Sequence, residues 1–477
     1  MKTHTNIIMI ALILFMGASI SLKAQSSVSY WYGELNVSGS TLPITLRIDR
    51  ADTLKPIQMG SPAQTSQMFT ASKYRFTITD SLLFSIKSMG VVFRGKFNPE
   101  KDSIIGTFKQ GMLLTPLAFS RTKELYQIKR EQDSRPLPGG AVEKELSFTD
   151  KGGYKFSGTL TLPSAQGTYP CVVLLTGSGT QNRDEELLGH KPFKVIATEF
   201  ASKGIATFRY DDRGWGVSVP DSALLASTTF TFAQDADFIL SQIKNQAGVN
   251  PKQVGFLGHS EGGLIASISA ARNKDVAFVI LMAGPGIKGI DVLRGQIQKI
   301  NSLSGTSQKE IDFQIAMLDK IYSLTQKGKT DSQIAKEMTS WFDKALESYT
   351  PEQIKDMNLS TPKERQMSYS AFIMPWMRVF MQTDPAEYLR KVKVPLLAMN
   401  GQKDAQVIEK DNMPAIQKAM AKAKNKNFEI FTPESMNHLF QECKTGSPDE
   451  YQSIGQTISP LALDKMSAFI LKVTQGK

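Results

Sequence analysis

The chain has little of what stapled or metal-built domains depend on. Two cysteines in 477 residues exclude a disulfide scaffold and any cysteine-rich zinc module. With only four histidines, imidazole chemistry has few candidates, and neither a metal site nor a cofactor site is expected. No apolar stretch is long enough to span a bilayer as a stable helix; Ile7–Met16 is an unbroken run of ten. Charged residues are held to 21% against 41% hydrophobic residues, which excludes a disordered chain. Lys and Arg exceed Asp and Glu by 56 to 45. The surplus is scattered, with modest clusters at 388–393 and 418–426 and no basic stretch interleaved with aromatics, so no nucleic-acid module is expected.

What is present begins with an address. Lys2 precedes the apolar run, and small and polar residues follow it down to Leu22-Lys23-Ala24. That order is the pattern of a signal peptide over residues 1–24, cleaved near Ala24, with export to the periplasm or beyond and no stable membrane insertion afterwards. Cys171 and Cys443 are expected to stay unpaired thiols, because the fold argued below places them too far apart for a disulfide.

From 25 to 120 the texture has a period of two. Leu42, Ile44, Leu46 and Ile48 alternate with polar neighbours, as do Tyr74, Phe76 and Ile78, with turn residues at hairpin intervals. An all-β domain follows, a small sandwich or barrel. Residues 121–142 are charged and end in Pro136-Leu137-Pro138-Gly139-Gly140, which reads as a linker. From 143 to 477 strands alternate with helices. Apolar strands are expected at 144–149, 155–162, 171–176, 205–209, 253–257, 276–282, 394–399 and 427–431. Eight strands with helices between them predict a mostly parallel sheet covered on both faces. About 287–390, between the sixth and seventh strands, is helical and is expected to form a lid over one rim. Thr361-Pro362-Lys363-Glu364 and Asp384-Pro385-Ala386-Glu387 read there as helix starts.

The chemistry starts at Gly258-His259-Ser260-Glu261-Gly262-Gly263, which follows a strand and opens an apolar helix. G-x-S-x-G in that context is a nucleophile turn, with glycines where a Cβ would strike the adjoining strand and helix. Ser260 then needs a base. His4 lies in the leader, His190 in an early charged loop, and His259 on the same tight turn with its side chain diverging from the hydroxyl. His438 remains, in the loop after the last strand, at the rim where the serine emerges. The imidazole needs an acid to fix its tautomer, and Asp404 lies just past the seventh strand. Nucleophile, acid and base in the order Ser260, Asp404, His438 is the α/β-hydrolase order, which Asp211 and Asp212 would break. Two backbone N–H groups should form an oxyanion hole. One is that of Glu261; the other comes from the loop Thr176-Gly177-Ser178-Gly179-Thr180, at Ser178 or Gly179. A dinucleotide reading of these glycines fails, because Asn182 stands where a third glycine is required.

With these residues in place, 143–475 resembles the α/β-hydrolase superfamily. Specifically it is similar to secreted bacterial serine hydrolases of the EstD-like esterase and serine-aminopeptidase-like group. The matching pieces are Leu175 to Gly179, Gln181 to Glu185, Arg209 to Ser218, Gly258 to Gly263, Val394 to Asp404 and Asn437 to Phe440. Thr176 departs from the histidine common in relatives, and the resemblance implies that Asp211-Asp212-Arg213-Gly214 is a structural turn beside the site. The implied reaction is acyl transfer to Ser260 followed by hydrolysis of the acyl-enzyme. The expected substrate is a small carboxylic ester or, alternatively, a short peptide. The stretch 372–377 with Val379, Phe380 and Met381 either lines an acyl pocket or forms lid core. A non-catalytic binding protein on the same scaffold is the rival reading, and an intact triad argues against it.

Overall fold

A computed structural model describes residues 28–37, 40–62, 68–76, 81–98, 102–110, 113–122, 130–215, 226–451 and 454–475. The expected leader, residues 123–129 of the expected linker, and Gly216 to Ser218 of the quoted motif lie outside the described residues. The chain divides into two compact units. One holds the described residues up to Thr122 with 187–189 and 350–360; the other holds 130–186, 190–349 and the described remainder from 361.

Among the described residues the first unit carries an antiparallel sheet of nine strands. They are β1 (Val28–Val37), β2 (Ser40–Asp49), β3 (Ile57–Gly60), β4 (Phe69–Thr70), β5 (Lys73–Phe76), β6 (Ser81–Ile86), β7 (Val91–Asn98), β8 (Ser103–Gln110) and β9 (Leu113–Thr122). Their order is β4-β3-β2-β1-β9-β8-β7-β6-β5. The two edge strands are consecutive in the chain, with only Ala71 and Ser72 between them. At ~3.5 Å per residue the edges therefore lie within about 10 Å of each other, and the sheet must roll up. The two residues stitch the roll: Ala71 N–H donates to Ile57 O and Ser72 N–H to Ser85 O, at 2.9 and 2.8 Å. Of the two forms expected, this is the barrel-like one. Period-two burial fills its interior, as Leu82, Phe84 and Ile86 turn inward while Leu83 stays exposed.

The second unit is built on eight strands: β10 (Val142–Thr149), β11 (Lys155–Leu162), β12 (Tyr169–Leu175), β13 (Ala206–Tyr210), β14 (Val249–His259), β15 (Val279–Met282), β16 (Leu396–Met399) and β17 (Phe428–Phe431). Their order is β10-β11-β13-β12-β14-β15-β16-β17. The first two pairings are antiparallel and the rest parallel. Consecutive residues of the central strands feed opposite cores. Val173, Leu175, Leu281 and Ala398 pack with the helices Thr229–Ile243, Glu261–Ala270 and Glu409–Ala423. Val172, Leu174, Met282 and Met399 pack with Pro192–Ser202 and Pro460–Thr474. A strand buried on both faces must be apolar throughout, which is why β12, β15 and β16 are short hydrophobic runs.

Between β15 and β16 the chain forms helices at Gly289–Leu303, Gln308–Gln326, Asp331–Ala345, Pro351–Asp356, Pro362–Tyr369, Pro375–Gln382 and Ala386–Leu389. Thr361 and Glu364 form a reciprocal capping box, and Asp384 Oδ1 accepts from Ala386 N–H at 3.0 Å. Leu318, Ile334, Met338 and Phe342 are fully buried, and Ile311 nearly so. One expected boundary shifts. The described part of the 121–142 linker, from Arg130, belongs to the second unit. Gln132 Oε1 accepts from Thr457 N–H (2.6 Å), its amide donates to Ile458 O (2.8 Å), and Asp133 Oδ1 accepts from Lys191 N–H (2.6 Å). Side-chain fastening of this kind leaves no trace in Pro/Gly composition. Cys171 and Cys443 are both free, as expected. Among the described residues no helix is long and apolar enough to cross a membrane.

Candidate active site

Strands β12, β14, β16 and β17 run parallel, so the loops that leave their C-terminal ends share one rim. Ser178, Ser260, Asp404 and His438 sit on those loops, and Glu261 opens the helix that follows Ser260. Ser260 follows β14 with φ 52° and ψ −120°, a left-handed setting that a non-glycine residue adopts only under constraint. Its N–H donates to Met282 O at 2.8 Å and its carbonyl accepts from Gly263 N–H at 2.9 Å. A Cβ on Gly258 would lie 2.0 Å from Gly262 O, and one on Gly262 would lie 2.2 Å from Leu175 O. The motif's glycines are there because strand and helix touch backbone to backbone.

Asp404 and His438 meet. Asp404 Oδ2 lies 2.7 Å from His438 Nδ1, and both residues are buried. The carboxylate is aimed by its surroundings: Oδ1 accepts from Gln406 and Val407 N–H (2.7 and 2.9 Å), and Oδ2 also accepts from the Asn400 amide (3.2 Å). The His438 loop is folded by Asn437, whose Oδ1 accepts from the N–H groups of Leu439 and Gln441, each at 3.0 Å.

His259 does more than its position on the turn suggested. Its ring packs 4.8 Å, centroid to centroid, from the ring of His438. Nε2 donates to the His438 carbonyl at 3.1 Å, and Nδ1 lies 2.9 Å from Glu185 Oε1. Both ring nitrogens thus face acceptors. Burial opposes the cation, yet the Glu185 carboxylate and the His438 carbonyl outweigh it and raise the His259 pKa. The same Glu185 oxygen accepts from Gly177 N–H at 2.7 Å. A single buried carboxylate therefore joins the loop after β12 to the residue before the serine. Nothing in the acidic run Asp184-Glu185-Glu186 distinguishes Glu185 in sequence. His190 is structural: its ring nitrogens lie 2.9 Å from Thr457 Oγ1 and 2.8 Å from Tyr451 O, and burial lowers its pKa to about 4.

The turn Asp211-Asp212-Arg213 holds the loop after β12 in place. Asp211 pairs with Arg183 at 2.7 Å. Asp212 Oδ2 accepts from Thr176 Oγ1 (2.7 Å) and Gln181 N–H (2.9 Å), and burial pushes its carboxyl up to about 8. Arg213 pairs with Asp235 and lies over the Tyr154 ring at 3.7 Å. Thr176 is thus a loop anchor. With Gly177 N–H committed to Glu185, the next N–H groups along the loop belong to Ser178 and Gly179. A narrow cleft opens here, lined by Thr176, Gly177, Gly179, Asp212 and Glu261. Phe380 and Met381 are core residues, whereas Met374 is exposed and the Trp376 indole reaches Glu261. Among the described residues no group of three His, Cys, Asp or Glu is placed to hold a metal ion.

The chain is 25% identical over 387 residues to esterase EstD of Thermotoga maritima, covering 80% of this chain and 79% of that one. Solved structures that align with it include a DcsB complex with its substrate analogue, at 17% identity and TM-score 0.43, over 70% of this chain and all of that one. The Pyrococcus furiosus esterase Pf2001 aligns at 16% identity and TM-score 0.39, over 69% of this chain and 92% of that one. The sequence profile of the family described as serine aminopeptidase, S33, matches residues 191–442, just over half of the chain. The chain therefore belongs to the serine aminopeptidase S33 family and is a hydrolytic enzyme of the α/β-hydrolase fold.

Proposed function

We propose that this enzyme is a serine hydrolase that cleaves carboxylic esters through Ser260, His438 and Asp404. The observation that carries the reading is the 2.7 Å bond between Asp404 and His438, on the rim where the strained turn presents Ser260. Asp404 holds the His438 ring with Nδ1 occupied, which leaves Nε2 to take the Ser260 proton as the hydroxyl attacks a carbonyl carbon. The negative oxygen then rests on the N–H groups of Glu261 and of Ser178 or Gly179, aided by the amino end of the helix Glu261–Ala270. His438 returns the proton to the leaving alcohol, and water repeats the sequence on the acyl-enzyme. The helical insertion, 287–390, acts as the lid of this site.

The ester reading draws on the similarity to EstD. It is also supported by the acid beside the nucleophile, because both oxygens of Glu261 are occupied by protein donors and are not available to a substrate ammonium. The second reading, an aminopeptidase, rests on the family's description. A panel of p-nitrophenyl acyl esters against aminoacyl-naphthylamides separates them: turnover of the amides alone would reverse the ranking. A fluorophosphonate probe should label the folded protein at Ser260, and Ser260→Ala should lose both label and turnover. Activity surviving that substitution would remove Ser260 as the nucleophile. Export is proposed from the composition of residues 1–24. A mature amino terminus near Gln25 in the exported fraction would support it, and retention of Met1 there would oppose it.

A further inference from the structure

The Glu261 side chain belongs to no step of the mechanism above, yet it is almost wholly buried, at 2% exposure. Burying a carboxylate is costly unless charge-assisted hydrogen bonds replace its water. Two elements supply them. Thr229, which opens the helix Thr229–Ile243, donates its hydroxyl to Oε1 at 2.6 Å. The indole N–H of Trp376, in the helix Pro375–Gln382 of the insertion, lies 2.8 Å from Oε1 and 3.0 Å from Oε2. Glu261 is also the residue whose backbone N–H is assigned to the oxyanion hole, so the tethered side chain belongs to the residue that bears the donor. Trp376 adds the insertion to the same carboxylate, and its ring stacks on Phe380 at 6.2 Å.

We propose that Glu261 is a positioning residue: its carboxylate clasps Thr229 and Trp376, so that the seating of the insertion and the aim of the Glu261 oxyanion donor are set together. The inference deepens the serine-hydrolase reading and rests on it. Aim matters because an oxyanion donor acts only when its N–H points at the place where the charge develops. Holding that aim with a side chain that two separate elements share makes the oxyanion hole competent only when the insertion is docked.

The test uses the full chain with Glu261→Gln, Trp376→Phe, the double variant, and p-nitrophenyl butyrate. Trp376→Phe keeps the ring and deletes one donor. It should lower kcat about tenfold or more with KM within about threefold, and Glu261→Gln should lower kcat by up to about a hundredfold, below the full cost of removing a donor. The double variant should be no slower than Glu261→Gln alone, because both changes break one clasp. Additive losses, or a Trp376→Phe enzyme with unchanged kcat, would overturn the proposal. So would a loss that appears in KM alone, since that would mark a pocket wall. A readout without substrate stands beside these. Amide hydrogen exchange of 375–382 should quicken at least about tenfold in Glu261→Gln while that of the helix Pro460–Thr474 stays unchanged. Unaltered exchange would overturn the clasp even in an enzyme whose substrate is neither an ester nor an amide. Wild-type protein that takes no fluorophosphonate label would instead overturn the nucleophile assignment.

Discussion

The His259 ring bridges two loops of the site, with Nε2 on the carbonyl of His438 and Nδ1 on the carboxylate of Glu185. The pair ties the base loop to the loop after β12 and raises the folded pKa of His259. A histidine with a raised folded pKa contributes stability that is fully present below its unfolded value, near 6.5, and is lost as pH rises through the folded value. His259→Gln should therefore destabilise the protein by about 1–3 kcal/mol in mild acid. The gap from wild type should narrow toward alkaline pH. Urea melts of both proteins from pH 5.5 to 9 check this, and a gap that stays constant with pH would mean that His259 is neutral throughout.

Asp404 should matter through charge more than through space. In Asp404→Asn an amide replaces the carboxylate that faces His438 Nδ1 at 2.7 Å. The wrong tautomer is then favoured and the imidazolium loses its counter-charge, an effect worth about 10³–10⁴ in kcat for triads of this kind. KM should change little. Steady-state kinetics on an ester decide it, and a loss below about tenfold would mean that another acid serves His438.

The layout of the catalytic unit was legible in sequence for a physical reason. Parallel strands buried on both faces, such as β15 and β16, must be apolar runs; Asp404 follows β16, while His438 follows the half-buried edge strand β17 and Ser260 the apolar end of β14. Side chains that meet across the fold have no such periodicity. The joining of Glu185 to His259, of Glu261 to Trp376 and of Gln132 to Thr457 spans from 74 to 325 positions, and nothing local marks either partner. The roll of the first sheet was open for a related reason. Alternation fixes which face is buried, whereas the closure depends on which strand sits at each edge.

Asp212 predicts a pH dependence of stability with the opposite origin to that of a salt bridge. Burial holds its folded carboxyl up to about 8, against about 3.9 in the unfolded chain. Between those values the native state binds the extra proton, so stability declines as pH rises, at up to ~1.4 kcal/mol per pH unit from this one group. Asp212→Asn keeps an oxygen for the Thr176 hydroxyl and the Gln181 N–H. It should be tolerated near pH 5 and should flatten the decline from pH 5 to 8. Denaturant midpoints across that range are the measurement, and identical slopes in both proteins would show that Asp212 is ionised when folded.

Gly262 should be the least forgiving position of the nucleophile turn. An added Cβ would sit 2.2 Å from Leu175 O and 2.6 Å from Thr176 O, and both are backbone atoms of a central strand or its exit. A flexible side chain could swing aside, but here relief requires separating the helix Glu261–Ala270 from β12, which opens the core on that face of the sheet. Overpacking of this kind costs at least about 1–3 kcal/mol even where neighbours adjust. Gly262→Ala should therefore lower the melting temperature by several degrees or more and abolish fluorophosphonate labelling in whatever fraction stays folded. A soluble Gly262→Ala protein with wild-type melting temperature and labelling would mean that helix and strand are less closely packed than the backbone distances require.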